Sequence, residues 1–369
     1  MKTVLHVGKF YPPHHGGMER VVETLCHVSR GLVESRVLVA NGTGDTVEEE
    51  VGGIPVTRVG TIGAAGSVHI APAFASHLRR ARADLIVLHE PNPWALLSYA
   101  LARPRAPLAI WYHSDVVRPA LQYALFYAPM ARVAYSRAKR FIVSSPALAA
   151  HATALSPYQS RVSVIPFGID PSPWRSAAAE ATGAPFLLFA GRHVDYKGVD
   201  VLLRALQGST TCAVIAGDGP RRGAWERLAG ELGLNGRVTF TGEVPDHELH
   251  RLMQTCTAFV LPSITQAEAF GYVQLEAMAA GKPVISTDVP SGVSWVNQDG
   301  RTGLVVRAGD ADALRAAIAR VTEDAAFAAR CGAAGRARVE EEFTLERLRD
   351  RLRRFYEDMG CVSSSSSAC

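Results

Sequence analysis

Twelve short apolar runs punctuate the chain. The first half carries TVLHVG, SRVLVA, ADLIVLH, PLAIWYH, RFIVSS and RVSVIPFG. The second half carries PFLLFAG, CAVIAGDG, VTFTGE, TAFVLPS, KPVISTD and GLVVRAG. Runs of this length and composition predict strands buried on both faces. Helical spacing fills several gaps between them: 18–32 and 118–138 in the first half, then 198–207, 221–233, 246–255, 272–280 and 311–320. Strand–helix alternation predicts an α/β fold with parallel sheets covered by helices. The series starts twice, and Pro and Gly crowd at the join, PFGIDPSPW (166–174). The expected division is therefore a first domain over 1–170 and a second over 171–343. The segment 344–359, TLERLRDRLRRFYEDM, reads as a charged amphipathic helix with Leu345, Leu348, Leu352, Phe355 and Tyr356 roughly on one face. No strand follows it, so it either caps the second domain or crosses back to the first. Residues 360–369, with VSSSSSA between Cys361 and Cys369, read as a disordered low-complexity tail.

A chain of 369 residues, 48% hydrophobic and 20% charged, holds enough apolar material for two cores. No apolar run approaches the ~20 residues of a membrane helix. Met1-Lys2-Thr3 leads straight into a strand pattern, which is not a secretory signal, so a cytoplasmic location is expected. The six cysteines form no CxxC pair, and neither a zinc site nor a disulfide framework is indicated. The basic excess is confined to the first half. It lacks the Lys/Arg stripes of a nucleic-acid surface, so no nucleic-acid partner is expected.

In parallel-sheet domains, ligands bind at the carboxyl ends of the strands. After the first strand come Gly16 and Gly17, just before a helix. Such a pair lets backbone approach an anion at a helix start, although an ordinary turn also fits. It is not the dinucleotide GxGxxG pattern, so a Rossmann dehydrogenase loses support. Two strands end in histidine, at His89 and His113, each able to donate a hydrogen bond or to serve a structural purpose. Asp115 would orient His113 or cap a helix. Arg192 and Lys197 follow the first strand of the second domain, with Asp195 as the acid seen nearby; two such cations suit a diphosphate. The stretch HELHR (247–251) is not a zincin motif, and Asp310 reads as a helix N-cap with Asp312 a first-turn acid. No metal site is expected. In EAFGYVQLE (268–276), Glu268 precedes a predicted helix and Glu276 lies within it, with the backbone of Phe270, Gly271 and Tyr272 at its entrance. That order of acid, anion-binding backbone and acid matches a nucleoside diphosphate sugar. Gly281 would stop the helix.

These segments together resemble glycosyltransferase family 4, whose members have the GT-B fold of two Rossmann-like domains facing across a cleft. FYPPHHGGMERVV, VIPFGID, FAGRHVDYKGVDVLLRAL, IAGDGP, VTFTGEV and PSITQAEAFGYVQLEAMAAGKPVISTD match in order, to about residue 358, and Glu268 to Glu276 is the family's E-x7-E motif. The resemblance implies a nucleotide-sugar donor held by the second domain and an acceptor held by the first. Gly16 and Gly17 would approach the donor diphosphate and Arg192 and Lys197 would neutralise it. Glu268 would hold the transferred sugar and Glu276 the ribose, with Phe270, Gly271 and Tyr272 touching phosphate or sugar oxygens. His113 would lie near the reacting sugar, Val244 would line the base pocket, and the last helix would cross back to the first domain. It also implies retention of anomeric configuration without cofactor or metal. Apart from Asp115 and Glu90, the first domain offers no obvious strand-end carboxylate to act as a covalent nucleophile, so front-face attack is expected.

The loop DVPSGVSWVNQDG, with Ser291 in place of a common glycine and Trp295, is most similar to the bacterial mannosyl/rhamnosyl-transferase subgroup, which implies GDP-mannose. A UDP- or dTDP-sugar donor, an epimerase on the same fold and a non-catalytic nucleotide-sugar-binding subunit stay open. Segment 118–141 mixes Tyr123, Phe126, Tyr127 and Tyr135 with Arg132, Arg137, Lys139 and Arg140. It reads either as a surface for peripheral contact with the inner membrane leaflet, where a lipid-linked saccharide acceptor would lie, or as a core helix with a solvated basic edge.

Overall fold

The computed structural model describes residues 1–14, 16–65, 68–115, 127–175 and 184–363. All twelve apolar runs form strands. In chain order, the first unit has β1 (Thr3–Val7), β2 (Glu34–Ala40), β3 (Val47–Val51), β4 (Ile54–Val59), β5 (Gly63–Ala65), β6 (Val68–Ile70), β7 (Leu85–Glu90), β8 (Leu108–Tyr112), β9 (Ala138–Val143) and β10 (Val162–Val164). The second has β11 (Phe186–Ala190), β12 (Cys212–Ala216), β13 (Val238–Gly242), β14 (Ala258–Leu261), β15 (Val284–Thr287) and β16 (Gly303–Val306).

The chain divides into two compact units: Met1–Ser144 with Ala152–Phe167 and Leu348–Cys369, and Ser145–His151 with Gly168–Arg347. The first is built on a sheet of order β10-β9-β8-β7-β1-β2-β4-β3. All its pairings are parallel except β3 with β4. The second is built on an all-parallel sheet of order β13-β12-β11-β14-β15-β16. The strand order reverses between β1 and β7 in the first unit and between β11 and β14 in the second. Loops leaving neighbouring carboxyl ends diverge there, which opens a crevice suited to a ligand.

The hairpin β3–β4 and the small pair β5–β6 carry no apolar run. β3 reads VEEEV, mostly exposed, and is an edge strand kept soluble by its glutamates. The helix Pro93–Ala102 also escapes periodicity, because PWALLSYALA is apolar on nearly every side.

The division departs from a single cut at residue 170. The short helix Pro146–His151 groups with the second unit. There a Cβ on Gly292 would meet Ser145 Oγ at 2.9 Å, so only glycine admits that approach. The last helix, Leu345–Asp358, buries Leu348, Leu352, Phe355 and Tyr356, and from Leu348 onward it belongs to the first unit. Tyr356 Oη and Ser29 Oγ are 3.0 Å apart, and Arg349 donates to the carbonyls of Val28 and Arg30. The tail does not begin as disordered chain: the Cys361 amide donates to the Tyr356 carbonyl and the residue is buried. The Ser-rich remainder, with Cys369, lies outside the described residues.

Candidate active site

In the second unit the switch point brings together residues that are far apart in sequence. Leaving β11, the chain makes a single tight turn, Asp195–Lys197, and enters the helix Val199–Leu206 through Gly198 at φ +64°. A Cβ on Gly198 would sit 2.1 Å from the Pro262 carbonyl oxygen, so glycine is needed for the turn to pack against the end of β14. This packing sets Lys197 against Glu268: Nζ to Oε2 is 2.5 Å, and both residues are more than nine-tenths buried. Ser263 Oγ donates to the same carboxylate oxygen at 3.1 Å. Burial pulls the Lys197 pKa down, but the Glu268 charge and hydrogen bond outweigh it, and the net shift is upward. The ammonium and carboxylate are thus a fixed ionic pair. In the sequence, Asp195 is the acid near the two cations. Instead, Asp195 pairs with Arg221, and Glu268 is the partner of Lys197. Arg192 is exposed and makes no ion pair among the described residues.

Glu268 lies in the loop and Glu276 inside the helix Tyr272–Ala279, where it is 3% exposed. Gly271 caps that helix at φ +71°, and a Cβ there would lie 2.7 Å from Leu261 Cδ2. The glycine is thus fixed first by backbone conformation and by the close approach of β14. Phe270 is buried, with its ring centroid 6.4 Å from Trp295 and 6.2 Å from Phe343. Tyr272 Oη donates to the Gly168 carbonyl at 2.9 Å. Ser291, the departure from the common glycine, donates through Oγ to the Glu268 carbonyl at 2.6 Å and so ties the two loops together. Val244 is half-buried in the loop after β13. Asp310 caps its helix by accepting from the amides of Asp312 and Ala313, and Gly281 ends the Tyr272–Ala279 helix at φ +72°.

In the first unit, Gly16 is extended and Gly17 opens the helix Gly17–Val28. A Cβ on Gly17 would meet nothing within 4 Å, whereas one on Gly16 would meet Glu19 Oε2 at 2.1 Å. Open space therefore lies over Gly17, and the Glu19 carboxylate covers Gly16. His113, just past β8, is 9% exposed. Its ring is held by His89, not by Asp115: His89 Nδ1 and His113 Nε2 are 2.9 Å apart. His89 Nε2 in turn lies 3.0 Å from His6 Nδ1. Asp115 accepts from the Tyr112 hydroxyl instead. Glu90 is fully buried and accepts from the Tyr127 hydroxyl; burial lifts its pKa to about 8. His6 escaped the sequence reading. The signal was there, since TVLHV, LIVLH and LAIWYH each place a histidine at or near the end of an adjacent strand.

Of the aromatic basic segment, Tyr123 and Phe126 lie outside the described residues. In the described part, the helix Ala128–Arg137 buries Ala131, Ala134 and Tyr135, and the flanking Tyr127 is buried too; Arg132 and Arg137 are exposed. That is a packed helix with a solvated basic edge. No helix among the described residues is long and apolar enough to cross a membrane.

Two parallel-sheet units with ligand-suited switch points define a class, and solved structures give its name. The Anabaena HepE protein in complex with UDP and glucose superposes with a TM-score of 0.79 at 21% identity, covering 97% of this chain and 100% of that one. Sucrose-phosphate synthase from Thermosynechococcus elongatus gives 0.81 at 23%, covering 98% and 99%. The fold is GT-B. Residues 16–168 match the family described as "Glycosyl transferase 4-like domain" and residues 172–338 that described as "Glycosyl transferases group 1". O-antigen chain mannosyltransferase C of Escherichia coli is 32% identical over 365 residues, 94% of this chain and 96% of that protein. D-rhamnosyltransferase WbpZ of Pseudomonas aeruginosa is 33% identical over 356 residues, 92% of each. The chain belongs to glycosyltransferase family 4 and is a glycosyltransferase.

Proposed function

We propose that the protein is a retaining hexosyltransferase that moves mannose from GDP-mannose to a saccharide or lipid-linked saccharide in cell-surface polysaccharide biosynthesis. The buried Lys197–Glu268 pair carries this reading. An ion pair this deep is not a cheap stabiliser, and a hydrophobic pair of similar volume often serves a core as well. Its value lies in a carboxylate fixed by the Lys197 ammonium, oriented by Ser263 and ready to accept hydrogen bonds from sugar hydroxyls. Glu276 would take the ribose hydroxyls and the Gly271 backbone the phosphate between them. Phe270 and Tyr272 would anchor that helix entrance, and Val244 would border the base. The mannosyl- and rhamnosyltransferase relatives support the choice of sugar.

In the step itself, the bond between C1 and the diphosphate oxygen breaks and charge develops on the leaving group. Arg192, which makes no ion pair among the described residues, and the Lys197 ammonium would stabilise it, together with Gly17 at its helix start. The acceptor hydroxyl oxygen bonds C1 on the same face, and its proton passes to the departing phosphate oxygen. His113 contacts the transferred sugar. Cationic side chains supply the charge that a metal supplies elsewhere, so turnover in excess EDTA is expected to equal turnover without it. The first unit would bind the acceptor, at the cytoplasmic face of the membrane if that acceptor is lipid-linked.

The deciding experiment is thermal shift against GDP, UDP, dTDP and their sugars, followed by turnover of the purified chain and NMR of the product anomer. Stabilisation by GDP-mannose and an α-mannoside product are expected. A preference for UDP- or dTDP-sugars would replace the donor, an inverted anomer would replace the mechanism, and binding without turnover would leave a non-catalytic subunit.

A further inference from the structure

The three histidines of the first unit form a closed array. His6 lies on β1, His89 on β7 and His113 just past β8, and these three strands are consecutive neighbours in the sheet. The rings are roughly parallel, with centroids 5.3 Å apart for His6–His89 and 5.2 Å for His89–His113. Trp111 and Phe167 flank them: Trp111 is 6.0 Å from His89, and Phe167 is 6.0 Å from His113. The setting is apolar, and burial holds all three rings neutral at pH 7.

Three neutral imidazoles carry three ring protons among six nitrogens. The contacts His6 Nδ1–His89 Nε2 and His89 Nδ1–His113 Nε2 each need one proton. His89 has only one to give, so both contacts must run in the same direction. The third proton then sits at one end of the array, on His6 Nε2 or on His113 Nδ1. His6 Nε2 is fully buried and has no hydrogen-bond partner among the described residues. A buried N–H without an acceptor is the rarer and costlier orphan. That end is therefore left bare, and the protons run from His6 Nδ1 to His89 and from His89 Nδ1 to His113 Nε2.

We propose that His6 and His89 are positioning residues that lock His113 in its Nδ1–H tautomer, so that the ring presents a hydrogen-bond donor, not a base, at the carboxyl end of β8. The functional consequence rests on the reading of His113 as a sugar contact. A donor there serves an oxygen of the transferred sugar and cannot take the proton of the acceptor hydroxyl, which leaves that proton to the phosphate.

The test is a long-range proton–nitrogen correlation spectrum of the 15N-histidine-labelled full chain at neutral pH, with His113 assigned by its loss in His113→Ala. The expected pattern is a protonated Nδ1 and a bare Nε2 for His113. A protonated Nε2 at His113 in the wild-type protein overturns the proposal, and that result does not need the His89 variants to fold. His89→Phe should lose the Nδ1–H signature and lower kcat by roughly ten- to a hundredfold with KM for the donor little changed, as when the group orienting a functional histidine is removed. His89→Gln, whose amide can still donate, should recover part of both. An unchanged His113 spectrum in His89→Phe also sinks the proposal. The reading beneath it fails separately: wild-type turnover in His113→Ala removes His113 from catalysis, whatever its tautomer.

Discussion

Glu268 accepts from two groups at once, the Lys197 ammonium and the Ser263 hydroxyl, and its own carbonyl is held by Ser291. A side chain restrained at both ends cannot turn away from a ligand, which is what positioning in a transfer reaction requires. Glu268→Gln keeps the shape but replaces the charged acceptor. Its turnover is expected to fall by about 10²–10³, as for loss of a preorganised polar group. Part of the stability goes with it, because the Gln amide oxygen can still accept from the buried Lys197 ammonium but no longer balances its charge. Lys197→Ala does something different. It leaves the Glu268 carboxylate buried without its cation, and the expected loss is about 3–5 kcal/mol of stability in addition to activity. Urea titration of both variants separates the cases. Equal stability of Lys197→Ala and wild type would mean that the pair is not buried as described.

At the scale of elements, the last helix shows how periodicity and topology divide the work. Leu345, Leu348, Leu352, Phe355 and Tyr356 could be assigned to one face from spacing alone, and the structure buries all of them except Leu345, which is half-buried. Which element the face meets was not written in the helix. The partners are Ser29 and the carbonyls of Val28 and Arg30, more than 300 residues upstream. Leu352→Ala is expected to destabilise the first unit by about 2–5 kcal/mol through the cavity it leaves. Hydrogen exchange that loosens the helix Gly17–Val28 together with Leu345–Asp358 would bear this out. Loosening confined to the second unit would contradict it.

For the molecule as a whole, buried titrating groups shape the pH dependence of stability. His6 is held at about 4 and His113 at about 3, from an ordinary 6.5, by burial. Below 6.5 the unfolded chain therefore binds protons that the folded chain refuses, so these groups lose stability as pH falls. Glu90 has the opposite sign. Burial, resisted by hydrogen bonds from Tyr127 and the Asn92 backbone, raises it from 4.5 to about 8. Between those values the folded state keeps a proton that the unfolded chain releases, so stability falls as pH rises. The melting temperature should therefore peak between about pH 6 and 7, and Glu90→Gln should remove the alkaline decline. Scanning fluorimetry across that range checks both, and a Glu90→Gln profile parallel to wild type would reassign the alkaline limb.

All twelve principal strands, the caps at Asp310 and Gly281 and the family motif Glu268–Glu276 were legible in the sequence, because each depends on residues within one element or one turn of it. The edge strand β3 and the helix Pro93–Ala102 were not, since one is a run of exposed glutamates between two valines and the other lacks a polar face. The joining of Lys197 to Glu268, 71 residues apart, and of His6 to His89, 83 apart, was also invisible. Strand order decides both: β14 lies beside β11, and β7 beside β1. Local sequence sets the period and the turns of a strand. Its neighbours are chosen by the burial of whole faces across the sheet, and only that choice turned a lysine and a glutamate into a buried pair and three histidines into one array.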